Sequence, residues 1–135
     1  MYSKKITYKD YDDNERTETF YFNLSKAELV EMEMSTAGGM QKMLESIVET
    51  KNARKIMEVM KDLILRSYGE KSSDGRQFVK SKELSEAFSQ TEAYSELFVE
   101  LMTDTEEASK FVNGVVPREL AEEAAKQRAL IGEVK

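Results

Sequence analysis

The chain has no cysteine, no histidine and no tryptophan, and only one proline in 135 residues. Without cysteine there is neither a disulfide nor a thiolate nucleophile. Without histidine the usual general base and the commonest metal ligand are missing. Both absences sit with a reducing compartment. No apolar run is long enough to cross a bilayer, and Met1-Tyr2-Ser3-Lys4-Lys5 leads into charge instead of an apolar export core, so a soluble intracellular domain is expected. What is present is charge: 34% of the residues are charged, 20 Lys and Arg against 26 Asp and Glu, for a net charge of −6. A chain of this length buries roughly two thirds of its unfolded surface, enough for one domain without covalent staples. The charge is uneven, at −3 over residues 1–37, +2 over 38–69 and −5 over 70–135. An acidic excess disfavours a nucleic-acid partner, whereas a basic middle in an acidic whole allows copies to associate.

The first 24 residues alternate at period 2. Ile6 and Tyr8 alternate with Thr7 and Lys9, and Phe20, Phe22 and Leu24 alternate with Thr19, Tyr21 and Asn23. Asp10 to Glu15 between them is rich in residues that bond their own backbone and tolerate left-handed geometry. A β-hairpin is expected. A lone hairpin is marginal in water, so it must lie on a helix of its own chain or on a neighbouring subunit's strand.

From Ser25 the period becomes helical. Ser25 and Glu28 have capping-box spacing, with Leu29 and Met32 on the buried face. Gly38 and Gly39 break that helix; Met40, Met43, Leu44, Ile47 and Val48 open a second run. After Lys51 and Asn52, Ile56, Val59, Met60, Leu63 and Ile64 continue the pattern to Tyr68, with Gly69 as a left-handed cap. Glu70 to Arg76 reads as a polar turn and Gln77 to Lys80 as a brief extended piece. Short helices follow around Leu84 and Phe88, around Tyr94 to Met102 after a Thr91 cap, and around Ala108 to Val112 after an Asp104 cap, ending before Pro117. The expected fold is α+β and mostly α, in a single domain: a hairpin over 1–24, a helical body over 25–116, and a helical tail over 117–135 that orders against a partner, with about five to six helices in all.

Motifs for chemistry are thin. Asp10, Asp12 and Asn14 match the opening of a calcium loop, but Glu15 stands where that loop needs Gly and Tyr21 where it needs Glu. Gly38-Gly39 lacks the following Lys and Ser or Thr of a phosphate loop. No catalytic residue, metal site or cofactor is therefore expected.

Two patterns point to partners instead. Six of the eight methionines, Met32, Met34, Met40, Met43, Met57 and Met60, fall within 29 residues. Flexible thioethers at helical spacing either fill a core or line a groove that accepts varied apolar segments, and with Ile47 they are the candidates for client contact. Glu92, Glu96, Glu100 and Asp104 are spaced by four, a ladder that is either a solvated face or a strip awaiting a cationic surface. Lys51, Arg54 and Lys55 offer such a surface on a second copy, and Ile6, Tyr8, Phe20 and Phe22 offer a strand edge, so these residues with Glu92, Glu96 and Glu100 are the candidate oligomer interface.

Several stretches taken together carry a resemblance. Thr7-Tyr8-Lys9-Asp10-Tyr11, Glu15-Arg16-Thr17-Glu18, Phe20 to Leu29, Leu65 to Ser72 and Phe88 to Tyr94 are similar to the tail assembly chaperones of long-tailed bacteriophages of Gram-positive bacteria. The resemblance implies a mostly helical protein of the host bacterial cytoplasm that binds the phage tape-measure protein, keeps it soluble while the tail tube polymerises, and is absent from the mature virion. It also implies a homo-oligomer, contact with the tail tube protein and a longer frameshifted form, with no enzymatic activity. The alternatives are a small acidic inhibitor of a basic partner and a permanent tail or connector component.

Overall fold

The computed structural model describes residues 1–35 and 53–116. The elements run β1 (Tyr2–Lys9), β2 (Glu15–Phe22), α1 (Lys26–Ser35), α2 (Ala53–Ser67), β3 (Tyr68–Lys71), β4 (Phe78–Val79), α3 (Lys82–Ser89), α4 (Glu92–Thr103) and α5 (Thr105–Val115). Among the described residues the chain is mostly helical, with an antiparallel strand pair at its amino-terminal end, as expected. Met40, Met43, Ile47, Lys51, the Gly38-Gly39 break and the tail over 117–135 lie outside the described residues.

The pairing of β1 with β2 runs from Tyr2↔Phe22 to Lys9↔Glu15. The turn is built as its composition requires: Asp10 Oδ1 accepts from the N–H groups of Asp12 and Asn14, and Asp13 takes a left-handed φ of 61°. Arg16 closes it with a 2.6 Å contact to Asp10. Tyr2, Ile6, Phe20 and Phe22 share the inner face, which packs on α4 and α5, so a helix of the same chain covers the hairpin.

The sheet is larger than a hairpin, and here the sequence reading needs correction. Its order is β1-β2-β3-β4, because Tyr21 and Phe22 pair with Gly69 and Tyr68. Gly69 is not a left-handed helix cap; it lies within β3. Local bonds explain the change. Ser67 Oγ donates to the carbonyl of Leu63 at 2.6 Å, and the carbonyl of Ser67 accepts from Asn23 N–H at 2.8 Å. The helix end is thus satisfied by its own hydroxyl and by the sheet, and the chain passes straight into a strand. Gly69 is needed for a close approach: a Cβ there would lie 2.7 Å from Phe78 Cε2 and 2.8 Å from the carbonyl oxygen of Val79.

The core is centred on Phe22, which is fully buried. Its ring meets Tyr2, Tyr68, Phe88 and Phe111 with centroids 5.7 to 6.0 Å away, so β1, β3, α3 and α5 all converge on one side chain of β2. Tyr68 and Phe88 stack at 4.2 Å. Helix starts follow the caps read from sequence. Ser25 and Glu28 bond reciprocally at 2.9 and 3.1 Å, Thr91 Oγ1 accepts from Tyr94 N–H, and Asp104 accepts from Glu106 and Glu107 N–H. No helix among the described residues is long and apolar enough to cross a membrane.

Candidate functional site

The methionines divide by helical phase. Met32 in α1 and Met60 in α2 point into the core, while Met34 and Met57 stay 37% and 40% exposed. Helical spacing alone left core and groove open as readings; Met32 and Met60 fill the core, and Met34 and Met57 are exposed.

Beside these residues is a solvent-open cleft of about 280 Å³, lined by Leu24, Glu28, Glu31, Met32, Ser35 and Arg66. Positions 28, 31, 32 and 35 are one face of α1, and Arg66 faces them from α2. Leu24 and Met32 lie beneath it, both almost fully buried. Lys80, just beyond β4, ties α1 down with contacts of 2.7 and 2.8 Å to Glu28. The Glu28 carboxyl is held below its ordinary value: burial pushes it up, but the Lys80 ammonium and the Ser25 N–H outweigh that.

The acidic ladder lies along the hairpin. The Glu92 carboxylate at the start of α4 raises the Tyr11 hydroxyl of the hairpin turn above its ordinary value, and Lys4 Nζ donates to Glu100 at 2.7 Å near the end of α4. Asp104 caps α5, and Glu96 is exposed. Tyr2 adds a bond of 2.8 Å to Glu107, which also lies 3.4 Å from Lys4. Among the residues expected at an oligomer interface, Ile6 and Phe22 are buried in the chain's own core, and Tyr8 and Phe20 are half-buried. Tyr8 also bonds Glu18 across the hairpin. Arg54 and Lys55 are exposed on the first turn of α2, and Arg54 approaches Glu58 at 3.6 Å.

Sequence reasoning missed Tyr2, Lys4 and Glu107. A signal existed for Lys4, which shares the period-2 face of Tyr2, Ile6 and Tyr8. A cation on an otherwise apolar strand face requires carboxylates opposite it.

This cluster gives the fold a pH window. The hydrogen bond from Tyr2, followed by the charge of Lys4, holds Glu107 below its ordinary value of 4.5. A carboxyl lowered in the folded state contributes stability that is complete above its unfolded value and is lost as pH falls through the folded one. Burial, then the Glu107 contact, raises Tyr2 above its ordinary 10.0, so that contribution is present below pH 10 and is lost at higher pH. The melting temperature is expected to be flat from about pH 6 to 9 and to fall on either side. Glu107→Gln should flatten the acid limb in thermal melts from pH 7 to pH 3; an unchanged acid slope would remove Glu107 from this role.

A mostly helical body, apolar side chains left at the surface and the ordered stretches quoted above all bear on identity. The family description "phage tail assembly chaperone" matches the chain over residues 1–135. The chain belongs to the phage tail assembly chaperone family. No curated protein and no solved structure matches it significantly. Met34 and Met57 are exposed, and a cleft runs beside α1.

Proposed function

We propose that this chaperone binds the tape-measure protein of its phage and keeps it soluble while tail-tube subunits polymerise around it. It acts in the cytoplasm of a Gram-positive host, as several copies, and is left out of the finished virion. The family match over the whole chain is the observation that carries this reading. A tape-measure protein is a long helical chain with apolar stripes, and such stripes aggregate when uncovered. Thioethers held at the surface, as at Met34 and Met57, adapt to varied apolar side chains without reading a strict sequence. Many weak contacts along one client add up through multivalency.

No bond is made or broken in this cycle. Polymerising tube subunits displace the chaperone by competing for the same apolar stripe. The test is co-expression with the tape-measure protein of the same phage. The client is expected to be soluble and to co-purify with the chaperone, and to be insoluble alone, while purified virions lack the chaperone by mass spectrometry. A client equally soluble without it, or stoichiometric chaperone in virions, would overturn the reading.

A further inference from the structure

We infer that the outer face of the sheet, the one turned away from α4 and α5, seats helix α4 of a second copy; the inference rests on the proposal above that the chaperone acts as several copies. Side chains alternate across a strand, so with Tyr2, Ile6, Phe20 and Phe22 turned inward, Lys5, Lys9, Thr19, Tyr21 and Lys71 share the outer face. Lys5, Lys9, Thr19 and Lys71 are exposed, and Tyr21 is half-buried. Phe78 belongs to the same face, because it pairs with Lys71 and its ring lies across Gly69, the partner of Tyr21. Neither Tyr21 nor Phe78 packs against the core. Lys71 holds its ammonium 4.3 Å from the centre of the Tyr21 ring. Three lysines meet one acid on these strands, Glu15 opposite Lys9, in a chain whose net charge is −6. Lys5 and Lys71 make no ion pair among the described residues.

The complement lies on the helix side of the same fold. Ala93, Leu97 and Leu101 anchor α4 in the core, which turns Glu96, Val99 and Thr103 outward. Val99 is 56% exposed, an apolar side chain left at the surface one turn from Glu96. Residues 83–107 hold eight acids and no Lys or Arg. A basic face with two half-buried rings matches an acidic strip with an exposed aliphatic side chain, in charge and in apolar content. A sheet with one bare face is completed by a layer of helices, and α4 of the next copy supplies it. Both halves of the contact stand on one chain, which makes a second copy the occupant. Because the two halves differ, the contact is heterologous and repeats from copy to copy into a ring or an open filament.

The experiment is sedimentation velocity on the full chain. Self-association is expected at low salt, and raising the salt from about 50 mM to about 500 mM should weaken it about tenfold. Lys5→Glu with Lys71→Glu should weaken it about a hundredfold, and so should Glu96→Lys with Thr103→Lys, all four being exposed positions. Equimolar mixing of the two variants should restore assembly, because each supplies the charge that the other has lost; two misfolded chains would not rescue each other. An unaltered chain that stays monomeric, an assembly indifferent to salt or to both variants, or a mixture that fails to reassemble would overturn the inference. So would a fall in melting temperature for Lys5→Glu with Lys71→Glu at unchanged sedimentation, which would assign the face to a segment of the same chain. Loss of assembly on Arg54→Glu with Lys55→Glu alone would move the seat to α2. Co-purification separates this contact from client binding. A monomeric chain that retains the tape-measure protein sinks the contact and leaves client binding standing, whereas an assembled chain that does not retain it does the reverse.

Discussion

Phe22→Ala is expected to cost about 3–5 kcal/mol and to leave the chain largely unfolded at 37 °C. Phe22 is the ring on which four others converge, and it is fully buried. Its removal leaves a cavity bounded by Tyr2, Tyr68, Phe88 and Phe111, which belong to four different elements. Those elements cannot all move inward together, so the cavity term is expected at full size. Urea denaturation followed by far-UV circular dichroism measures the loss. Thr19→Ala, an exposed change on the neighbouring face of β2, serves as the control and should stay within about 0.5 kcal/mol. A loss below about 1 kcal/mol for Phe22→Ala would mean that the ring cluster is not the core.

Gly69→Ala carries the second large effect, and its sign is the informative part. Replacing glycine by alanine where the backbone allows it usually stabilises by about 0.4–1 kcal/mol through the unfolded chain. Here the new Cβ would meet Phe78 Cε2 at 2.7 Å and the Val79 carbonyl oxygen at 2.8 Å. The ring can turn aside. The carbonyl belongs to the backbone of β4, where Val79 pairs with Glu70, and it moves only if β4 shifts away. The expected result is a loss of about 1–3 kcal/mol, read from the same denaturation curves. Faster exchange of the amide protons in β3 and β4 should accompany it. A gain in stability would show that β4 gives way freely.

How much of this was legible depended on distance along the chain. The hairpin, its turn and the caps at Ser25, Thr91 and Asp104 were readable because each is settled within a few residues. The end of α2 was misread for the same reason. Tyr68-Gly69 looks like a helix stop locally, but Asn23 N–H and the edge of β2, more than forty residues earlier, decide that it is a strand. The acidic ladder shows the same limit more sharply. Its spacing and its apolar opposite face were visible, but its partner Lys4 comes from the other end of the chain, 96 positions from Glu100. Period and composition do not encode such pairings. Of the methionines, sequence gave the cluster, while tertiary packing decided that Met32 and Met60 turn inward and Met34 and Met57 outward.

The convergence on Phe22 bears on how the chain acquires its shape during synthesis. Phe111 comes last among its neighbours, so a ribosome must translate nearly the whole described body before the first strands find their cover. Until α5 emerges from the exit tunnel, Tyr2 and Phe22 lack the side of their cover that Phe111 supplies. A member of a chaperone family therefore passes through a brief stage in which its own core is incompletely covered.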